Sequence, residues 1–300
     1  MKTQYHNPVL LHSSLEGLNI KPDGVYVDVT FGGGGHSKAI LEQLNEKGRL
    51  FGFDQDSDAA ANKIEDSRFE FVKANFSYLS QYLKFHKVKG VDGILADFGV
   101  SSNQFDTIER GFSIRTDGPL DMRMNQSQEF DAYMVVNQYE EEALINVLFN
   151  YGELRNAKSL ARNIISARSE KEIESTQDLI SVLKPLVPQR IENKVLAQIF
   201  QAIRIEVNAE LDALQSFLVQ AEAFLNSGGR LVCISYHSLE DRLVKRFFQS
   251  GNFEGEIVKD FYGNPQIRLK RIGKVIVPDK KEIKNNGRSR SAKLRIAEKK

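Results

Sequence analysis

One stretch constrains this 300-residue chain more than any other, the run from Val25 to Asp54, VYVDVTFGGGGHSKAILEQLNEKGRLFGFD. Its pattern predicts a strand over Val25–Val29, a glycine turn over Gly32–Gly35, a helix opening near His36–Ser37, and a second strand over Arg49–Phe53 that ends on Asp54. That is half of a nucleotide-type βαβ unit, which points to an α/β fold built on parallel strands. The glycines let the backbone turn tightly and approach a ligand, and the helix start behind them offers unpaired N–H groups. Asp54, at the carboxyl end of its strand, is placed to accept hydrogen bonds from ribose hydroxyls.

The kind of nucleotide follows from what the loop lacks. Counted from Gly32, the third position of a dinucleotide fingerprint falls on Ser37, where close helix–sheet packing asks for glycine or alanine. No Gly-Lys-Ser/Thr follows the glycines, so a phosphate-cradling P-loop is absent as well. An acid on the first strand, Asp28, would repel a pyrophosphate, and together with the second acid, Asp54, it suits an adenosine with a cationic, amino-acid-like end. S-adenosylmethionine is such a ligand. The alternative is a plain α/β turn whose glycines only shape the backbone.

Charge and cysteine usage narrow the class further. The formal charge of +1 hides an uneven distribution, because Lys280 to Lys300 carries nine Lys or Arg against two Glu. The single cysteine, Cys233, sits in the apolar run Leu231 to Ile234 and reads as a buried small hydrophobe in a reducing compartment; no zinc or iron–sulfur spacing occurs. No run approaches the roughly 18 apolar residues of a membrane span, and the N-terminus carries no signal-peptide pattern. A cytoplasmic protein without a membrane segment is expected.

Along the chain, Phe69–Lys73 alternates as a third strand, with Asn75-Phe76-Ser77 at its carboxyl end. Phe76 there either stacks on an adenine or simply starts a helix. Val91–Ala96 is the fourth strand and delivers Asp97, Gly99, Ser101, Asn103, Gln104 and Asp106. Asp97 is placed to accept hydrogen bonds from an exocyclic amine and to take its proton, although strand-end acids also serve as helix caps. Arg110 to Asn125, with its Gly118-Pro119 turn, reads as a lid or substrate wall. From Ala132 to Leu225 the pattern is helical, as expected for an inserted domain. Its Arg155, Lys158, Arg162, Arg168 and Lys171 either track a phosphate backbone or form a solvated face. The domain limits read from the sequence are 1–108, 109–208 and 209–300, the first and last forming one core. Arg230–Tyr236 returns to the sheet, and Ser238 is expected to cap the next helix with Asp241 as its capping-box partner. His237 contacts a base or phosphate, or makes a structural hydrogen bond at the helix entrance. Edge strands are expected within Ile257–Asp279. In the tail, Arg288, Arg290, Lys293 and Arg295 are spaced for phosphate contacts, and Ser291–Ile296 alternates as a strand would.

These blocks together carry a resemblance. His6 with Pro8-Val9-Leu10-Leu11, Asp28 through His36, Asp97-Phe98-Gly99-Val100-Ser101-Ser102 with Gln104 and Asp106, and Gly118-Pro119-Leu120-Asp121-Met122-Arg123-Met124 form the first half of it. Phe200-Gln201-Ala202, His237-Ser238-Leu239-Glu240-Asp241-Arg242 and Arg288 through Arg295 complete it. The chain resembles the RsmH (MraW) family of ribosomal RNA methyltransferases, which methylate the N4 amine of a cytosine in the decoding region of 16S rRNA. The resemblance implies a Rossmann-like class I S-adenosylmethionine-dependent methyltransferase fold, with a mostly parallel sheet, helices on both faces and an inserted all-helical domain. It implies that Gly34, Gly35 and His36 contact the methionine end of the cofactor, Asp54 the ribose and Phe76 the adenine region, with Asp97 and Gln104 completing the pocket; Asp28 and Gly32 join the cofactor candidates from their place in the strand and the glycine turn. Asp97 and His237, with Ser101, Asn103 and Asp106, are the substrate-side candidates. The implied partner is 16S rRNA within the small ribosomal subunit; the sequence leaves the oligomeric state open, a homodimer included. The chain departs from the family pattern at Ser13, where a glutamate is usual, and at Lys194–Gln198, in place of His-Pro-Ala-Thr-Arg.

Transfer to an amine needs no cysteine nucleophile, whereas methylation at ring carbon 5 does, and Cys233 is poorly placed for it. Two rival functions remain, an NAD-dependent oxidoreductase and a non-enzymatic ribosome-assembly factor that holds RNA through the basic tail.

Overall fold

The computed structural model describes residues 8–300; the expected N-terminal contact of His6 lies outside them. The chain divides into two compact units, Met1–Gly99 with Leu211–Lys300, and Val100–Glu210. The sequence limits of 108 and 208 assign Val100 through Ile108 to the core, whereas the structure groups them with the helices. There Val100 packs against the same apolar cluster as Phe112 and Leu120.

The first unit holds a seven-stranded sheet in the order β3-β2-β1-β4-β5-β7-β6. Its strands are β1 (Val25–Asp28), β2 (Arg49–Asp54), β3 (Phe69–Lys73), β4 (Val91–Asp97), β5 (Leu225–Ser235), β6 (Leu269–Ile276) and β7 (Lys293–Lys299). β1 to β5 pair in parallel, and β7 runs antiparallel between β5 and β6. The central strands β1, β2 and β4 bury both faces, so their side chains alternate between two cores rather than between core and water, whereas the edge strand β6 is largely exposed. Tyr26, Leu50, Leu95, Val232 and Ile234 enter one core with Leu18 and Ile40 of the helices Leu11–Leu18 and Gly35–Leu41. Val27, Phe51, Ile94, Leu231 and Cys233 enter the other, against Leu83, Phe217 and Phe247 of the helices on the opposite side.

β5 starts at Leu225, five residues before the expected Arg230, because the register against β4 slips from Val91↔Leu225 to Gly93↔Arg230 and absorbs Gly228-Gly229 as an irregularity. After β2, where the Ala59-Ala60-Ala61 run predicts a short helix over Ser57–Glu65, the chain forms a 3-10 turn over Ser57–Asn62. Asp56 caps it through Asp58 N, and at Lys63 the backbone leaves helical geometry, with ψ 133°.

The second unit is helical, with Ala132–Gln138, Glu141–Asn150, Ala157–Glu170, Thr176–Leu183 and Glu192–Asn208 around one apolar core. The Arg110–Asn125 segment, expected as a lid or wall, contributes Phe112, Leu120, Met122 and Met124 to that core. Buried Arg110 braces the segment by donating from Nη2 to the carbonyls of Arg123 and Met124 at 2.9 and 3.2 Å. Among the described residues, no helix is long and apolar enough to cross a membrane.

Candidate active site

Three neighbouring strands of the sheet, β2, β1 and β4, each end on an aspartate: Asp54, Asp28 and Asp97. The chain winds from β1 through β2 to β3 and then crosses to β4 on the other side of β1, so β1 and β4 flank the switch point where α/β sheets bind ligands. Burial, joined for Asp54 and Asp97 by like-charge repulsion from Asp28, pushes each of the three carboxyls up to about 6. Three acids crowded into a water-poor sheet edge make a site that favours positive charge.

Each acid is tied into the turn. Asp28, 1% exposed, accepts from Ser37 Oγ at 2.7 Å and from Thr30 N at 3.2 Å. Ser37 therefore occupies the fingerprint position as a hydrogen-bonded partner, which explains why neither glycine nor alanine stands there. Thr30 Oγ1 in turn accepts from Asp97 N at 2.7 Å. Asp54 Oδ2 accepts from Gly32 N at 2.8 Å and its Oδ1 from Asp56 N at 2.9 Å.

The turn requires its glycines. Gly34 caps the helix Gly35–Leu41 with φ 73°, and a Cβ there would lie 2.9 Å from the Phe31 ring. A Cβ on Gly35 would meet Pro8 Cγ at 2.4 Å. His36 is buried; its Nε2–H donates to the Val9 carbonyl at 3.1 Å, and burial lowers its pKa, so the ring is neutral at pH 7. The helix begins one residue earlier than the sequence pattern suggests. These residues fit S-adenosylmethionine, because the backbone is held open by glycines beside carboxylates that match a sulfonium and an ammonium.

Phe76 lies at the end of β3, half-buried, its ring edge-on to Phe98 at 6.0 Å and to Phe217 at 5.5 Å. Asn75 caps the turn through Ser77 N and donates from Nδ2 to Gln55 Oε1 at 2.8 Å. At the end of β5, Tyr236 donates its hydroxyl to Asp97 Oδ1 at 2.7 Å, a contact the sequence pattern does not single out. Its only sequence signal is position, beside His237 on a strand adjoining β4. His237, not Ser238, is the N-cap of the helix Ser238–Ser250, and its side chain is 8% exposed. Glu240, not Asp241, is the partner: its Oε2 accepts from Tyr236 N at 2.8 Å and His237 N at 3.3 Å, and its Oε1 lies 3.2 Å from His237 Nε2. Asp241 instead binds Arg295 Nε at 2.7 Å and Lys293 Nζ at 3.2 Å, which takes two of the four tail cations into an ion cluster within β7 and this helix. Cys233 is buried and its thiol is pushed far up, which removes it as a nucleophile.

The remaining candidates belong to the helical unit. Ser101 and Gln104 form a reciprocal capping box on the helix Ser102–Asp106, with Gln104 buried, while Asn103 and Asp106 are exposed. In the same unit, Arg162 pairs with Glu141 at 3.0 Å, and Arg168 donates to the carbonyls of Val136 and Tyr139.

Comparison with known proteins gives the same direction. The family model for the MraW methylase family matches residues 3–300. A "Ribosomal RNA small subunit methyltransferase H" of Flavobacterium johnsoniae is 60% identical over 296 residues, 99% of this chain and 98% of that protein. Proteins of the same name from Christiangramia forsetii and Bacteroides fragilis are 57% and 55% identical, over 99% and 100% of this chain and 98% and 99% of their own lengths. With a family match across nearly its whole length and relatives this close, the chain belongs to the MraW methylase family.

Proposed function

We propose that this chain transfers the methyl group of S-adenosylmethionine to the exocyclic N4 amine of a cytosine in the decoding region of 16S rRNA, acting in the cytoplasm on the small ribosomal subunit. The observation that carries the cofactor half is the trio of strand-end aspartates at the switch point, Asp28 buried and Asp54 and Asp97 half-buried. The names of the relatives support the substrate half.

When bound, S-adenosylmethionine supplies a methyl group on a sulfonium, an electrophile that needs no metal. The chain's own residues supply the rest. Gly32, Gly34 and Gly35 let the backbone approach the methionine end, with His36 behind them as a neutral spacer, and Asp28 fixes the turn through Ser37 and Thr30. Asp54 takes a ribose hydroxyl with the acceptor capacity left beyond its two backbone bonds, and Phe76 offers its ring to the adenine. A cytosine amine is a weak nucleophile because its lone pair is delocalised into the ring. Asp97 accepts the amine hydrogen, favours positive charge on nitrogen as the new bond forms, and takes the proton directly or through water. Tyr236, bonded to Oδ1, leaves Oδ2 for the amine. His237, held at the helix start, contacts the target base or its phosphate.

Titration calorimetry with S-adenosylmethionine and with NAD separates the main rival. Binding of the methyl donor and none of NAD is expected; the reverse would overturn the assignment.

A further inference from the structure

The most exposed aromatic side chains among the described residues stand side by side, far along the chain from the acidic sheet edge. Phe261 is 97% exposed and Tyr262 85%, with their rings edge-on at 5.5 Å. They do not sit on a slack loop. Lys259 and Pro265 form an antiparallel bridge, Gln266 N donates to Val258 O at 2.8 Å, and Asp260 N donates to Asn264 O at 2.9 Å. The Asp260 carboxylate closes the tip by accepting from Tyr262 N and Asn264 N, both at 2.9 Å, and from Asn264 Nδ2 at 3.1 Å. Gly263 follows with φ 86°, the left-handed position the turn needs. A turn so fully bonded holds its aromatic pair in water at a hydrophobic cost that nothing within the turn offsets.

The charge around the tip indicates what covers the rings. Ile257 to Lys281 contains seven Lys or Arg against two Asp, and one of those two, Asp260, is engaged in closing the turn. Lys259, Arg268, Lys270, Arg271 and Lys274 are exposed, along the hairpin and the edge strand β6 that it feeds. Edge lysines alone would be explained as protection against strand pairing. That account leaves the two rings without a purpose. A basic track with aromatic side chains standing out of it is the surface that single-stranded nucleic acid binds, phosphates on the cations and bases on the rings.

We propose that the hairpin Val258–Gln266 is a stacking platform for single-stranded RNA, with Phe261 and Tyr262 each taking a base and the cations of β6 following the backbone. This rests on the function proposed above for the identity of the RNA, a stretch near the methylated cytosine.

The test uses the full chain carrying Phe261→Ala with Tyr262→Ala, and a second variant with both changed to Leu. Three quantities are read: anisotropy of a labelled decoding-region oligonucleotide, KM and kcat on free 16S rRNA and on small subunits, and calorimetry with S-adenosylmethionine. Both variants should bind the oligonucleotide at least about tenfold more weakly and raise the RNA KM to match. Their kcat and cofactor affinity should stay at the wild-type level. Unchanged RNA affinity would overturn the proposal, and so would full retention in the leucine pair, since that would mean apolar contact rather than stacking. A defect on small subunits but none on free RNA or the oligonucleotide would place a protein on the tip and overturn it too. If the wild-type chain binds S-adenosylmethionine yet methylates no RNA, the proposed function fails, and the oligonucleotide measurement still decides the fate of the platform.

Discussion

The carboxyl edge of β2, β1 and β4 and the hairpin that feeds β6 belong to one sheet unit and have opposite chemistry. The first is recessed, with Asp28 buried and Asp54 and Asp97 half-buried, acidic, and fixed by hydrogen bonds among Asp28, Ser37, Thr30 and Asp97. The second is exposed, basic and tipped by two aromatic rings. Burial makes the acids responsive to a small cation, because few water molecules remain to screen them. Exposure makes the cations suited to a long polyanion, where many weak contacts add and exchange with salt. A single α/β unit thus separates a small cationic cofactor from a large anionic substrate by sign and by depth, and the separation can be attacked at either end.

The largest effect is expected from Asp97→Ala. Methyl transfer should fall about a thousandfold or more, read as incorporation of labelled methyl into 16S rRNA, with RNA affinity unchanged. Full activity in that variant would remove Asp97 from the chemistry. Next comes Asp54→Ala, which loses a charged acceptor and should weaken S-adenosylmethionine binding by about tenfold to a hundredfold in calorimetry, again without loss of RNA affinity. An equal loss of both ligands in either variant would break the separation between the two regions.

Acidity gives a third, smaller effect. Asp97 titrates near 6 in the folded chain and near the ordinary aspartate value when unfolded, so folding takes up a proton between the two. That stabilisation is complete below the unfolded value and is lost as the pH rises through about 6. Asp97→Asn removes the buried charge and should therefore melt about 2–4 °C above the ligand-free wild type at pH 8, with the gap closing toward pH 5. A gap that widens toward acid would mean the carboxyl is stabilised as a charge. The smallest effect belongs to Tyr236→Phe. Losing the hydroxyl that donates to Asp97 raises the carboxyl's pKa further, so the acid limb of the kcat profile should move to higher pH, with little change at pH 8.

The acidic edge was legible in the sequence because its cause is local. Strand periodicity, a glycine run and an acid at each strand end are read within a few residues, and Asp28, Asp54 and Asp97 stand where that pattern puts them. What escaped depends on contacts between distant segments. Ser37 looked like a defect in a fingerprint until Asp28 was seen to accept its hydroxyl. Lys293 and Arg295 looked like phosphate ligands, but β7 lies beside the helix that carries Asp241 and the three pair. The helix cap shifted by one residue, from Ser238 with Asp241 to His237 with Glu240, because Glu240 reaches the two backbone amides before its start. Leu120, Met122 and Met124 fall in the segment read as a lid or substrate wall, yet their alternate spacing buries them in the helical core. The Phe261–Tyr262 pair gave no signal at all, since aromatic residues are ordinarily buried and exposure is a property of the folded chain.

The most direct test of the central claim is nucleoside analysis after methyl transfer. Small subunits from cells lacking the gene are incubated with the purified chain and labelled S-adenosylmethionine, and the 16S rRNA is digested and its nucleosides separated. The account predicts label in N4-methylcytidine, abolished by Asp97→Ala. Label in 5-methylcytidine, or none in any cytidine, would contradict it.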